Sequence, residues 1–173
     1  QAFAAMAERV PRARLVLVGG EGVVPPEFIV DVSDDERVRA LRKFYNGSYF
    51  QYVRGFVPSA LQSRVQFAGA VPYSRMGQWL QQADVLVNAS LSEAFCMPVA
   101  EAMAYGVPVV ASRVGGVPEV LGEDAGGILV DADNAGALAE GMQAVLTDRN
   151  RAAEYGQAGY DRARRLFAWE KIA

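Results

Sequence analysis

The sequence predicts an α/β fold in which a parallel sheet is covered by helices on both faces. Short apolar segments alternate along the chain with longer segments of helical periodicity, and this alternation is typical of parallel strands joined by right-handed helical crossovers. The segments at 84–89 and 107–112 are nearly continuous apolar runs, which indicates strands buried on both faces. The other predicted strands cover 15–18, 65–68 and 127–130.

Helices are predicted where apolar residues recur every three or four positions. Pro98 suits the first turn of a helix and Gly106 suits the end of one, so a helix is expected at about 98–105. Pro118 similarly opens a short helix. The remaining helices are predicted at 1–10, 73–82, 134–147 and 149–167.

Composition excludes several kinds of site. The net charge of −3 gives no electrostatic reason to bind nucleic acid or an anionic membrane. One cysteine and no histidine exclude a disulfide framework, an ordinary zinc site and histidine-based catalysis. We expect no metal and no cofactor. No apolar run is long enough for a transmembrane segment, and no signal peptide is recognised, so a cytoplasmic protein is expected.

The chain is expected to be one domain, 1–173, truncated at both ends. Its first helix has no strand before it, and the apolar pattern at 167–173 stops midway. Residues 21–63 are expected to form an irregular insertion, with a capping box at 33–36 before a helix and a second helix near 57–63. The aromatic residues of this stretch are interpreted as a small core, and the arginines of 149–165 as a solvated face.

Glu93 lies on the loop that leads into the helix at 98–105, and Glu101 lies about one turn inside that helix. Backbone amides of Phe95, Cys96 and Met97 would be free at the helix N-terminus, where the helix dipole favours an anion such as a diphosphate. Carboxylates repel phosphate, so the two glutamates are better suited to accept hydrogen bonds from the hydroxyls of ribose and a hexose. The loop follows a strand end, where open α/β sheets bind ligands. A sugar-nucleotide site is therefore predicted here.

Two pairs of glycines also follow predicted strands. Gly19 and Gly20 come after 15–18, and Gly115 and Gly116 come after 107–112. Glycine allows a tight turn and a close approach of the backbone to a ligand. Both pairs are candidate binding elements, although an ordinary turn would use the same residues.

The segment from Asp84 to Ser112, continuing through Gly115-Gly116-Val-Pro-Glu119, resembles the donor-binding half of retaining GT-B glycosyltransferases with an E-x7-E motif. The resemblance is specific over 64–131 and weaker at both ends of the chain. It implies a Rossmann-like domain that binds a nucleoside-diphosphate sugar, and a hexosyltransferase activity in the full-length enzyme.

The resemblance also implies roles for individual residues. Glu101 would hold the ribose hydroxyls, and Glu93 would contact the transferred sugar and serve as the catalytic residue. The amides of Phe95, Cys96 and Met97 would bind sugar hydroxyls and phosphate. Val71 would meet the base through its backbone.

The chain departs from the family pattern in two ways. Cys96 stands where the family usually has glycine. Because it lies at a predicted helix N-terminus, the pKa of its thiol is expected to be lowered and the thiol to be reactive. An Arg- and Lys-bearing segment that neutralises the donor diphosphate would precede Gln1, and the acceptor-binding domain is also missing, so this chain alone is expected to be inactive. The acceptor could be a glycan, a lipid-linked molecule or a small molecule.

Two other functions stay open at this stage. A nucleotide-sugar 2-epimerase shares the superfold, but it relies on acids and bases, usually including histidine, that the chain lacks. A non-catalytic module that binds a nucleotide sugar or a partner would explain the missing segments. An upstream acceptor domain would distinguish the transferase from such a module.

Overall fold

The computed structural model describes residues 1–20, 26–28, 30–45, 48–123 and 126–168, apart from the side chains of Arg37 and Lys43. The chain divides into two compact units. One consists of Gln1 and 13–72, and the other of 2–12 and 73–173. Within the described ranges, no helix combines the length and apolar character needed to cross a membrane.

The first unit is built on two parallel strands, β1 (Leu15–Val18) and β2 (Val65–Gly69). Leu15 pairs with Val65, and the register shifts between Leu17 and Val18. Both strands were predicted from the sequence.

Short helices occupy the described parts of the stretch that was expected to be irregular. They are 3₁₀ helices at Pro26–Phe28, Ala40–Tyr45 and Ser59–Arg64, and α-helices at Glu36–Arg39 and Tyr49–Arg54. The predicted capping box is wrong, because Ser33 Oγ accepts a hydrogen bond from the Asp35 N–H at 3.2 Å and the helix begins only at Glu36. The helix expected near 57–63 is a 3₁₀ helix.

The aromatic side chains of this unit contact one another, with ring centroids of Phe44, Tyr49, Tyr52 and Phe56 between 4.9 and 6.3 Å apart. Tyr49, Tyr52 and Phe56 nevertheless remain 45–51% exposed. The predicted core is therefore only partly right. The Phe50 ring is in edge contact with Phe67 of β2, with the ring centroids 5.8 Å apart.

The second unit contains a three-stranded parallel sheet in the order β3-β4-β5. Its strands are β3 (Leu86–Asn88), β4 (Val109–Ser112) and β5 (Gly127–Val130). Its helices are α1 (Ala2–Ala7), α4 (Tyr73–Leu80), α5 (Met97–Ala104), α6 (Val117–Leu121), α7 (Ala135–Thr147) and α8 (Arg149–Leu166), where α2 and α3 denote the two α-helices of the first unit.

Helices cover both faces of this sheet, as predicted. Val109 and Ala111 of β4 pack with buried residues of α5 and α6. Val110, between them, packs in a separate cluster with Leu138 and Val145 of α7. This alternation follows from the pleat of a strand that is buried on both sides. The α/β class is therefore confirmed, with the described strands divided between two parallel sheets.

Candidate functional site

The loop at 89–96, named the glutamate loop after Glu93, connects β3 to α5. Strand β3 pairs in parallel with β4 through Asn88 and Ala111. The predicted βαβ unit is thus present, and its loop lies at the carboxyl end of the sheet. The helix starts one residue earlier than expected, with Cys96 as its N-cap.

The N-terminus of α5 presents unused backbone donors. The N–H groups of Phe95, Cys96 and Met97 donate no hydrogen bond to any described residue. Phe95 and Met97 are 42% and 53% exposed. Unpaired amides at a helix N-terminus attract an anion, so the predicted anion-binding geometry is available.

Glu93 is held by two polar neighbours. Ser90 Oγ donates to Glu93 Oε1 at 2.7 Å, and Asn88 Nδ2 donates to the same oxygen at 3.3 Å. Its backbone carbonyl accepts a hydrogen bond from the Gly116 N–H at 3.3 Å. Both the main chain and the carboxylate of Glu93 are therefore fixed by the protein.

Glu101 lies inside α5 and is half-buried. Among the described residues, none forms an ion pair or a side-chain hydrogen bond with its carboxylate. A half-buried carboxylate without partners is suited to accept hydrogen bonds from a ligand.

Cys96 differs from the sequence expectation. Its backbone is left-handed, with φ +66°, and its side chain is only 4% exposed. Burial raises the pKa of its thiol, the backbone hydrogen bond of Val99 opposes that rise, and the Glu93 carboxylate adds to it. The expected activation by the helix N-terminus is thus outweighed by desolvation. The left-handed backbone explains why glycine would suit this position.

Cys96→Gly should leave stability nearly unchanged, because glycine adopts the left-handed backbone without strain and offsets the lost thiol contacts. Cys96→Val should lose about 1–2 kcal/mol, since a β-branched side chain is strained there. Urea denaturation of both variants checks this, and equal stability of the two would refute the strained position.

Iodoacetamide should label the native Cys96 thiol much more slowly than the thiol of the unfolded chain, because the native thiol is buried.

Gly115 and Gly116 pack against the backbone of the 89–96 loop. A Cβ on Gly115 would overlap the carbonyl oxygen of Glu93, and one on Gly116 would overlap that of Ala94. Gly115 also has φ +47°. The turn therefore needs glycine for its contact with the glutamate loop, whether or not a ligand also approaches it.

Arg162 supports the helix that follows this turn. Its side chain donates to the carbonyl oxygens of Glu119 and Val120, at 2.6 and 2.9 Å, near the end of α6. The interpretation of the 149–165 arginines as a solvated face is therefore wrong for this residue. Its guanidinium satisfies carbonyls that a helix end leaves unpaired.

The other predicted residues lie in the first unit. Gly19 has φ +146° and donates its N–H to the Gly69 carbonyl at 3.0 Å, and a Cβ on Gly20 would lie 3.2 Å from that of Ala70. Gly19 and Gly20, at the carboxyl end of β1, thus contact Gly69 and Ala70, which lead from the carboxyl end of β2 to Val71. The predicted residues accordingly form two groups, one in each unit.

Sequence reasoning missed three residues at the glutamate loop. Asn88 and Ser90 bind Glu93, and the Phe167 ring lies edge-on to Phe95 with centroids 5.4 Å apart. A polar residue that ends a buried strand could have drawn attention to Asn88. Nothing in the local pattern links Phe167 to a residue 72 positions earlier. Over the described ranges, no group of three potential metal ligands occurs.

Curated relatives share sequence with part of this chain. It is 38% identical over 113 residues to a D-inositol 3-phosphate glycosyltransferase of Xylanimonas cellulosilytica, covering 65% of this chain and 27% of that protein. It is 36% identical over 115 residues to a subunit of the phosphatidylinositol N-acetylglucosaminyltransferase of Arabidopsis thaliana, covering 66% and 25%. The chain thus spans about a quarter of each of these relatives.

Solved structures share the fold. A sucrose-phosphate synthase of Thermosynechococcus elongatus superposes with a TM-score of 0.74 and 31% identity, covering 99% of this chain and 38% of that one. HepE of Anabaena, in complex with UDP and glucose, superposes with a TM-score of 0.70 and 20% identity, covering 98% and 41%. These likenesses confirm the expected Rossmann-like domain of a GT-B glycosyltransferase.

The family model for glycosyl transferases group 1 matches residues 1–162. That range includes the β3–α5 loop with both glutamates and the Gly115–Gly116 turn. The chain therefore belongs to the group 1 glycosyl transferases.

Proposed function

We propose that this chain is the donor domain of a retaining glycosyltransferase, which transfers a sugar from a nucleoside-diphosphate sugar to an acceptor. The observation that carries the proposal is the arrangement around α5. Unpaired amides at 95–97 lie between Glu93, whose carboxylate is held, and Glu101, whose carboxylate has no partner among the described residues. Backbone amides that can donate hydrogen bonds to an anion, flanked by carboxylates that can accept them from hydroxyls, suit a sugar diphosphate.

In this proposal the diphosphate binds at the amides of Phe95, Cys96 and Met97. Negative charge develops on the leaving diphosphate during transfer, and preorganised amides stabilise that charge. Glu93 orients the sugar through its hydroxyls, and Glu101 binds the ribose. The chain's contribution is mainly positioning and electrostatic stabilisation.

We propose contacts with the donor for the remaining predicted residues as well. The backbone of Val71 would meet the base, and Gly19 and Gly20 would allow close approach of the donor. Gly115 and Gly116 would do the same beside Glu93. HepE, a structural neighbour, was solved in complex with UDP-glucose, and we propose a donor of that class for this chain.

Activity would require more than this chain. We propose that an acceptor-binding domain and a basic segment for the diphosphate complete the enzyme, and that residues 1–173 alone transfer nothing. Cytoplasm is the proposed location, in keeping with one free cysteine and no disulfide.

Glu93→Ala in the intact protein should lower turnover more than it lowers affinity for the free nucleoside diphosphate, because its carboxylate is assigned to the sugar. We expect about a tenfold or greater loss of kcat and nearly unchanged diphosphate binding. Steady-state transfer assays and calorimetry measure the two quantities.

Glu154→Ala, on the exposed surface of α8, is the matched control and should behave as wild type. Equal weakening of diphosphate and nucleotide-sugar binding in Glu93→Ala would remove the sugar role. Binding of nucleotide sugars by the intact protein with no transfer to any acceptor would favour a non-catalytic binding module instead.

A further inference from the structure

Asn88 is the last residue of β3 and contacts the start, middle and end of the glutamate loop. Its Nδ2 lies 3.2 Å from Ser90 Oγ, 3.3 Å from Glu93 Oε1 and 3.3 Å from Cys96 Sγ. Its Oδ1 accepts the Ser90 N–H at 3.2 Å. One amide thus connects a strand end to the N-cap of α5.

The amide is well suited to this place because it is neutral and offers both donors and an acceptor. A carboxylate in its position would repel Glu93, and an apolar side chain would leave the carboxylate with Ser90 alone. Since β3 is hydrogen-bonded to β4, Asn88 stands on a more rigid element than the loop residues that it contacts.

The main chain and the side chain of Glu93 are held by different groups. The Gly116 N–H binds its carbonyl oxygen, whereas Asn88 and Ser90 bind Oε1. Loss of the Asn88 amide should therefore leave the carboxylate held by Ser90 alone, while the loop backbone keeps its contact with Gly116. Substitution of Asn88 should therefore change the orientation of the Glu93 carboxylate without removing the hydrogen bond between the Glu93 backbone and Gly116.

We propose that Asn88 is a positioning residue that fixes the orientation of the Glu93 carboxylate toward the sugar of the donor. The inference rests on the proposed function, because it needs Glu93 to act on a sugar. Asn88 and Ser90 both hold Oε1, so the rotation of the carboxylate about its last bond is restricted. Asn88 then acts through Glu93 and touches no substrate itself.

A double-mutant cycle in the intact protein tests this role. Asn88→Ala should lower kcat about ten- to a hundredfold, as loss of a hydrogen bond to a charged group does, with free nucleoside diphosphate affinity within about twofold of wild type. In a Glu93→Ala background the same substitution should cause no further loss. Asn150→Ala, on the exposed start of α8, should match wild type.

Asn88→Asp tests whether Asn88 acts through its hydrogen-bond donor or only by filling space. The substitution conserves size but replaces the donor with a charge beside Glu93, so kcat should fall at least as far as in Asn88→Ala. It also provides the test if Asn88→Ala does not fold. Wild-type turnover in Asn88→Asp would overturn the proposal.

The failure of this inference differs from the failure of the proposed function. If wild type transfers sugar and the Asn88→Ala and Glu93→Ala losses multiply, Asn88 does not act through Glu93 and only the positioning role is overturned. If wild type binds neither a nucleoside diphosphate nor a nucleotide sugar, the proposed function is overturned, and the positioning role with it.

Discussion

Gly115→Ala is expected to reduce sugar transfer by the intact protein strongly, with kcat/KM falling about a hundredfold or more. The new Cβ would overlap the carbonyl oxygen of Glu93, which is backbone and cannot rotate away as a side chain can. Alanine is also strained at φ +47°. Either the turn or the glutamate loop must move, and both would carry the carboxylate away from its place.

The matched control is Gly136→Ala in the first turn of α7. Its Cβ would meet only Asn134 Oδ1, at 3.5 Å, which is an ordinary contact. Transfer kinetics of the two variants should therefore differ widely. Wild-type activity in Gly115→Ala would show that the turn does not hold the glutamate loop in place.

Gly127→Ala should be the most destabilising of these substitutions. Gly127 pairs with Val109 in the sheet and is buried, and a Cβ there would overlap the carbonyl oxygen of Val109. The strands would have to separate in the middle of the core, and this should lower the free energy of unfolding by about 3–5 kcal/mol.

Urea denaturation followed by circular dichroism measures this loss, again with Gly136→Ala as the control. The control should stay within about 1 kcal/mol of wild type, because alanine favours a helix and its Cβ would lie at an ordinary contact distance from Asn134 Oδ1. A similar midpoint for Gly127→Ala would mean that β4 and β5 are not packed as closely as described.

Much of the second unit could be predicted because its signals are local and strong. The strand at 127–130 was predicted with the observed bounds, and the helix at 149–167 differs by one residue. Asp148 caps that helix by accepting from the Asn150 and Arg151 N–H groups, both at 3.1 Å. The apolar periodicity and the capping residue both indicate a helix that begins at this position, so the local sequence preference matches the fold.

Helix α3 was missed although its start carries a recognisable signal. Ser48 caps it by accepting the Gln51 N–H at 3.2 Å, but the aromatic residues of Tyr49–Arg54 show no clear periodic stripe. Clustered rings indicate packing of some kind without indicating which secondary structure presents them.

The details of the site could not be read from spacing alone. The sequence locates Glu93 and Glu101 on a loop and a helix, but the contact of Gly115 with Glu93 depends on a full βαβ crossover. The state of Cys96 depends on how deeply the thiol is buried. Helix dipole and desolvation act on its pKa in opposite directions, and only the packed structure decides which effect is larger.

Calorimetric titration of the intact protein with nucleotide sugars is the most direct test of the donor site. We predict saturable binding of at least one nucleotide sugar, and binding about tenfold weaker or more in Glu101→Ala, because a ribose diol loses its acceptor at a cost of about 1–3 kcal/mol. Glu140→Ala, exposed on α7, should bind as wild type does. Absence of binding for every nucleotide sugar, or unchanged affinity in Glu101→Ala, would contradict the assignment of the donor site.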